Sequence, residues 1–404
     1  MQGKRVVVGI TGGIAVYKAA ELVRLLVKAG AETRVAMTAH AARFVTPLTF
    51  EALSRNRVIS DMWAPENSPM DHITWGQEAD LIIVAPATAN FIAKMAHGLG
   101  DDFLSTMLLA STAKVLICPA MNTCMFQHPA VRENLGVLKQ RGVHVLDPSE
   151  GELACGTEGP GRLQEPEAIA EEAEFLLTRQ DLAGIRFLIT AGATVEPLDP
   201  VRYITNRSSG KMGYALARAA AMRGAEVTLV SGPTHLTPPP RVRWVAVNTT
   251  EEMRRAVLER SSDSDVVIKA AAVLDYRPRE RSREKIKKGD QILTLTLEPN
   301  PDILAELGRA RGGRPSVLVG FAAETSDLLA HAKEKLEKKN LDLIVANDVT
   351  RADAGFDSDT NLIKILYRDG TVEDLPLMTK LAVAHQLLDK VKGLWERTSG
   401  ERSQ

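Results

Sequence analysis

The chain has 404 residues, 45% of them apolar, so it can support two or three domains with full-sized cores. A formal net charge of -1 argues against a general polyanion binder, and no apolar run approaches the roughly 20 residues that span a bilayer. Three cysteines (Cys118, Cys124, Cys155) are too few for a disulfide framework, and the charged entry MQGKRVVVGITGG is no signal peptide, so a cytoplasmic location is expected.

The first half alternates strands and helices. Residues 6–10, 33–37, 81–85, 115–118 and 143–146 are short, β-branched and nearly continuous in apolar character, as in a parallel sheet covered on both faces. A helix is expected over 16–29. Long connections follow the second and third of these strands, at the carboxyl ends where open α/β sheets carry their sites. The run 165–179 predicts a helix, acidic at its start as the dipole favours. A boundary is expected over 180–184, which divides the chain into domains 1–180 and 184–393.

The second half restarts. Phe187, Leu188 and Ile189 lead into a Thr-Ala-Gly-Ala turn and a polar loop, after which SSGKMG opens a helix. Its Met212, Ala215, Leu216, Ala219 and Met222 share one face, and Gly224 ends it. Strands are expected at 227–230, 242–245, 266–270, 317–321 and 343–346, then a hairpin of 361–367 and 371–375 on an Asp369-Gly370 turn. A last helix is expected over 380–391, and residues 394–404 read as a polar, fraying tail. The expected class is α/β, with two doubly wound parallel-sheet domains.

Neither half carries a standard phosphate fingerprint. Gly12-Gly13 offers backbone N–H groups at a helix start, but without the G-x-G-x-x-G spacing, and a plain tight turn explains it equally. Gly210-Lys211 resembles the end of a P-loop, yet Thr205 stands where the first glycine belongs and Met212 where a magnesium-binding hydroxyl is needed. A Walker-type NTPase is not indicated.

Several clusters stand out in the first half. APATANFIAKMAHGLGDD lets a flat ligand approach small residues, with Thr88 and Asn90 able to hydrogen-bond it. CPAMNTCMF places Asn122 straight after a strand, where an amide has little structural purpose. His72 is a lone histidine, a type more often packed or surface-bound than catalytic. The glycines around Cys155 suit a mobile lid, although an ordinary loop with an incidental thiol has the same composition.

GITGGIAVYK, DHI, APATAN, GDD, PAMN and LACGTEGPGR occur in the order and spacing of the flavin-dependent cysteine decarboxylases, which this half resembles. The resemblance implies a flavodoxin-like fold with FMN at a trimer interface. It implies oxidation of a cysteine thiol by the flavin, loss of carbon dioxide as the carbanion delocalises into an enethiolate, and return of the electrons. By the same resemblance His72 is the acid/base residue, Asn122 grips the substrate carboxylate and amide, and Cys155 protonates the enethiolate. Gly12, Gly13, Ile14, Thr38, Ala87, Thr88, Ser105 and Thr106 would line FMN. The chemistry agrees, because a departing carboxylate needs an electron sink that side chains cannot supply.

In the second half, residues 277–288 carry seven Arg or Lys against two Glu. A solvated loop is the plain explanation. A nucleic-acid patch is disfavoured by the single aromatic, Tyr276, and by the overall charge. A basic loop after a buried strand and Asp275 suits a triphosphate, with the carboxylate available to a metal and the lysines to phosphate. Lys335 and Lys339, four apart, share a helical face, where surface ion pairs would explain them equally.

With TNRSSGKMG, the motifs AAAVLDYRPRERSREKIKK, NPDIL, GFAAET, HAKEKLEKKNLDLIVAND and GFDSDTN resemble the phosphopantothenate–cysteine ligases, in the bacterial type fused behind the decarboxylase. The second domain would then be Rossmann-like, and the resemblance covers about residues 4–392. It implies that CTP activates the carboxylate of 4'-phosphopantothenate as an acyl-cytidylate, which cysteine attacks. Asn206 would stabilise that step and Lys285 would handle the nucleotide phosphates. Ala271, Asp275, Pro301, Asp302, Ile303, Leu304, Phe321, Lys335 and Lys339 would hold CTP, with Mg2+ at Asp275. Ser208, Ser209, Gly210 and Lys211 would shape the phosphopantothenate or acyl site. Kinship also implies a homo-oligomer, a dodecamer if ligase dimers join trimeric flavin units. Small molecules, not nucleic acid or membrane, are the expected partners. The alternatives are a flavin oxidoreductase whose second half only binds nucleotide, and a non-catalytic flavin-binding regulator.

Overall fold

The computed structural model describes residues 1–153, 156, 158–288, 292–311, 315–324, 328–348 and 358–402. The chain forms two compact units, Met1–Arg179 and Gln180–Gln404.

The first unit contains strands β1 (Arg5–Ile10), β2 (Glu32–Met37), β3 (Val58–Ile59), β4 (Leu81–Ala87), β5 (Lys114–Pro119) and β6 (His144–Val145). A hairpin follows, β7 (Ser149–Glu152) with β8 (Glu158–Arg162). The helices are α1 (Val16–Lys28), α2 (Pro47–Ser54), α3 (Asp71–Glu78), α4 (Ala89–His97), α5 (Phe103–Leu109), α6 (Thr123–Gln127), α7 (Pro129–Gln140) and α8 (Pro166–Leu177).

All pairs in the six-stranded sheet are parallel, in the order β3-β2-β1-β4-β5-β6. Apart from the two-residue edge strand β3, this is the flavodoxin-like order, whose chain direction reverses between β1 and β4. The two-residue alternation of β1 sends Val6, Val8 and Ile10 into one core with α1, α2 and α8. It sends Val7 into a second core with Trp75, Phe91, Phe103 and Leu138. Val16, Ala19, Leu22, Val23 and Leu26 form the buried stripe of α1, and burial of each larger one contributes roughly 2 kcal/mol.

The second unit contains β9 (Arg186–Ala191), β10 (Val195–Pro197), β11 (Tyr203–Thr205), β12 (Glu226–Ser231), β13 (Val242–Ala246) and β14 (Val266–Lys269). These are followed by β15 (Tyr276–Pro278), β16 (Leu297–Pro299), β17 (Val317–Glu324), β18 (Leu343–Asp348), β19 (Thr360–Tyr367) and β20 (Val372–Thr379). Its helices are α9 (Lys211–Met222), α10 (Thr250–Ser261), α11 (Ile303–Arg309), α12 (Leu328–Lys338) and α13 (Lys380–Arg402).

The main sheet is ordered β13-β12-β9-β14-β17-β18-β19-β20. It is mixed rather than wholly parallel. The first six strands run parallel, whereas β19 and β20 pair antiparallel because a tight Asp369-Gly370 turn cannot make a crossover. Gly213 lets α9 lie against β9: a Cβ there would sit 2.5 Å from Ala191 Cβ and 2.8 Å from the Thr190 carbonyl oxygen.

The polarity of residues 394–404 predicts a frayed tail, but α13 continues to Arg402. Leu394 and Trp395 pack against the core, and Lys392 reaches Asp181 at 3.2 Å and Glu396 at 3.7 Å. Tertiary anchors thus hold a stretch whose composition alone would not. Among the described residues no helix is long and apolar enough to cross a membrane.

Candidate active sites

In the first unit a cleft of about 420 Å³ opens at the carboxyl ends of β1, β4 and β5, where the sheet order reverses. Gly12, Gly13, Ile14, Thr88, Met121 and Asn122 are among its lining residues. Thr11 knits its floor: Oγ1 donates to the Pro86 carbonyl at 2.7 Å and accepts the Thr88 N–H at 3.0 Å. A Cβ on Gly13 would meet only Thr88 Cγ2, at 3.7 Å, so backbone is presented to the cleft beside the start of α1. Gly12 is glycine for a packing reason, since a Cβ would fall 2.4 Å from His40 Cβ.

Asn122 lines the cleft from the N-cap of α6, where its Oδ1 accepts the Cys124 N–H at 2.8 Å. The hairpin β7–β8 lies over this segment. The Met121 N–H donates to the Gly161 carbonyl at 2.9 Å, and a Cβ on Gly159 would meet Thr123 Oγ1 at 2.8 Å. Cys155 lies outside the described residues. Burial pushes the Cys118 thiol up, with the Glu172 charge adding to the effect, which keeps that sulfur protonated and unreactive.

Other expected FMN contacts are not part of this lining. Ser105 is 1% exposed and occupied in a capping box, with Asp102 Oδ1 at 2.8 Å from both its N and Oγ. Thr38 Oγ1 accepts the Ala41 N–H at 3.3 Å, Ala87 is fully buried, and Thr106 Oγ1 is buried with no hydrogen-bond partner. His72 stands in the first turn of α3, also outside the lining. The cleft nevertheless fits a flavin. It combines a backbone cradle at a helix start with mostly apolar walls.

Sequence reasoning gave no role to Lys18. It is 8% exposed, lines the cleft, and its Nζ reaches Glu165 Oε1 at 2.9 Å.

The second unit has a cleft of about 640 Å³ where its own sheet order reverses, between β9 and β14. Asn206, Ser208, Ser209, Gly210 and Lys211 line it, as do Ala271, Asp275, Pro301, Asp302, Ile303, Leu304, Phe321, Lys335 and Lys339. Segments more than 100 residues apart in the chain therefore share one wall. The ribbon β10–β11 delivers the first group: Thr205 Oγ1 donates to the Thr194 carbonyl at 2.9 Å, and Asn206 Nδ2 to the Ala272 carbonyl at 3.1 Å. Gly210, with φ of +79°, turns the chain into α9, whose positive end faces the cleft.

Lys339 pairs with Asp302 at 2.9 Å. Burial works against the Asp302 charge. The Lys339 and Ala305 hydrogen bonds, with the charges of Lys339 and Lys269, still hold this carboxyl below its usual range.

Lys285 is outside the cleft lining, on the exposed basic loop between β15 and β16. The loop is anchored beside it: Ile286 N–H donates to Asp199 Oδ2 at 3.1 Å and Ser282 N–H to the Leu198 carbonyl at 2.9 Å. Asp275 is exposed, and the described residues contain no group of three or more His, Cys, Asp or Glu placed to hold a metal. Residues 355–357 of GFDSDTN lie outside the described residues, but Asn361 lines the cleft and Asp359 pairs with Lys211 at 2.7 Å.

Two buried lysines of this cleft were not singled out from sequence, Lys269 and Lys380, each 7% exposed. For Lys269 there is a usable signal, a charge that closes the apolar run VVIK at a strand's carboxyl end.

Two family models match the chain, one described as Flavoprotein over residues 1–176, the other as DNA/pantothenate metabolism flavoprotein C-terminal domain over residues 182–394. A relative from Bacillus subtilis (strain 168), named coenzyme A biosynthesis bifunctional protein CoaBC, is 50% identical over 408 residues, 100% of each chain. Of solved structures, the C-terminal domain of a CoaBC protein is 43% identical, covering 54% of this chain and 99% of that one, with a TM-score of 0.47. A PPC decarboxylase mutant complexed with pantothenoylaminoethenethiol is 29% identical, covering 43% and 97%, with a TM-score of 0.39.

Proposed function

The chain belongs to the family of coenzyme A biosynthesis bifunctional proteins, enzymes with a decarboxylase and a ligase half, and on that basis we propose how its two units divide the work. The second unit joins cysteine to 4'-phosphopantothenate at the expense of CTP. The first, a flavoprotein domain, decarboxylates the product and releases 4'-phosphopantetheine. The observation that carries the reading is the convergence of the Asn206–Lys211 loop, Ala271–Asp275, Pro301–Leu304 and the α12 lysines on one cleft.

A carboxylate at neutral pH is a poor acyl donor. Its oxygen attacks the α-phosphorus of CTP, pyrophosphate leaves, and the amine of cysteine then displaces CMP from the acyl-cytidylate. Asn206, held by Ala272, orients the acyl group. Ser208 to Lys211 offer N–H groups and one ammonium to anionic oxygens at the positive end of α9. The Asp302–Lys339 pair and Lys335 line the nucleotide side, and the basic loop brings Lys285 to the phosphates. Asp275, exposed at the cleft, would be the carboxylate available to a Mg2+ ion carried in with the triphosphate, which would supply charge neutralisation there.

In the first unit Gly12, Gly13, Ile14 and Thr88 would hold FMN, with Thr38, Ala87, Ser105 and Thr106 behind or beside it. When bound, FMN would take two electrons from the cysteine thiol of the substrate and return them once carbon dioxide has left, which no side chain can do. Asn122 grips the substrate carboxylate and amide, and His72 exchanges the proton beside the flavin. Cys155 gives its Sγ proton to the enethiolate carbon left after carbon dioxide departs. Because His72 is outside the lining of its own chain's cleft, the reading includes a trimer in which a neighbouring copy completes the wall. Ligase dimers would join such trimers into a dodecamer, and the enzyme works in the cytoplasm.

The test is incubation of the flavin-loaded protein with 4'-phosphopantothenate, cysteine and either CTP or ATP, with products followed by mass. Phosphopantothenoylcysteine, CMP and then phosphopantetheine are expected with CTP. Unchanged substrates, or a protein that cannot be reconstituted with FMN, would overturn the reading.

A further inference from the structure

Lys269 is the last residue of β14, in register with Thr190 of β9 and Gly320 of β17, at the point where the sheet order reverses. It is 7% exposed, and its Nζ has one described hydrogen-bonding partner, the thioether of Met253 on α10, at 3.9 Å. A thioether is a weak acceptor for an ammonium group. The carboxylate whose charge acts on it, Asp302 at the N-cap of α11, is already engaged by Lys339 at 2.9 Å and the Ala305 N–H at 3.0 Å. Lys339, following α12, and Lys335 within it bring more positive charge to the same end of the cleft. Lys269 and Lys339 thus share the charge of one carboxylate. An apolar residue would suit the Met253 side of this position better, so Lys269 has no stabilising purpose in the empty unit.

We propose that Lys269 is a nucleotide-binding residue whose amine grips the triphosphate at the floor of the second unit's cleft. The proposal rests on the ligase reading of that cleft. Burial, reinforced by the Lys339 charge and opposed by that of Asp302, pushes the amine down to about 7. Above that pH the empty cleft holds a neutral amine. An arriving polyphosphate favours the ammonium form, so binding draws one proton from solvent. The sign follows: affinity is greatest below about pH 7 and falls as pH rises towards the value of the occupied site.

The experiment is calorimetric titration of the full-length protein with MgCTP at pH 8, in two buffers of different ionisation enthalpy, repeated from pH 7 to 9. Wild type is expected to take up close to one proton per site, with affinity falling up to about tenfold per pH unit. Lys269→Met should bind at least about tenfold more weakly at pH 7 and take up no proton, because its side chain cannot be charged. Lys269→Arg should keep the affinity and lose the pH slope. Lys269→Gln is measured alongside, so the comparison holds if the methionine variant fails to fold. Equal affinity or equal proton uptake in wild type and the neutral variants overturns the proposal. Failure of wild type to bind CTP overturns instead the ligase reading, and this inference with it.

Discussion

Asn206 donates its side-chain amide to the carbonyl of Ala272 at 3.1 Å, tying the loop before α9 to the loop after β14. A carboxylate cannot donate, so Asn206→Asp sets two acceptors against each other beside anionic substrates. That mismatch costs roughly 1–3 kcal/mol, about a 5- to 150-fold loss of ligation rate. Decarboxylation of supplied phosphopantothenoylcysteine should be unchanged. Mass analysis of both reactions checks this, and loss of both activities would refute the division between the units.

Asp199 is the anchor of the basic loop. Its Oδ1 accepts the Val201 and Arg202 N–H groups, both at 2.7 Å, and its Oδ2 accepts the Ile286 N–H at 3.1 Å. Asp199→Ala releases the residue next to Lys285, so a roughly tenfold or greater fall in ligation kcat/KM for CTP is expected through lost positioning. Steady-state kinetics with CTP varied would show it. Wild-type constants would mean that the anchor does not govern Lys285.

Gly161 has φ of +144°, and a Cβ there would sit 2.2 Å from the Met121 carbonyl oxygen. Gly161→Ala must lift β8 from the segment that carries Asn122. Decarboxylation should fall at least about tenfold, since a small misplacement of positioning groups has effects of that size or more. Ligation by the same preparation is the internal control and should be unaltered.

Asp181 is held by Arg223 at 2.8 Å through both carboxylate oxygens and by Lys392 at 3.2 Å. The Arg223 hydrogen bond, against the opposing effect of burial and with help from Lys392, puts this carboxyl far below its usual range. A depressed carboxyl stabilises the fold above its unfolded value near ~4, and that contribution is lost as pH falls through the lower folded value. Asp181→Asn should cost about 3 kcal/mol at pH 7, as for other broken buried pairs. Denaturant unfolding measures it, and the difference from wild type should shrink steadily below about pH 4.

The core strands were legible because burial on both faces demands unbroken apolar runs, as in the fully buried residues of β4, and such runs stand out in one dimension. The α9 helix was legible from its apolar spacing and from Gly210 and Gly224. Ribbons of three residues such as β10–β11 and β15–β16 carry no measurable period, although they deliver Asn206 and frame the basic loop. The length of α13 depends on Asp181, about 200 positions earlier, which no local pattern reports. Lys18 reads like any surface lysine of a helix, because burial and partners are properties of the fold, not of neighbours in sequence.

The ion pair between Asp181 and Lys392 joins the two extremities of the second unit. Every strand of that unit's main sheet also comes from between them. The chain of this unit therefore returns, in the middle of α13, to the place where it set out. Such a module can follow another enzyme, be produced alone from residue 180, or be opened at a surface turn and rejoined through its own ends without breaking its sheet.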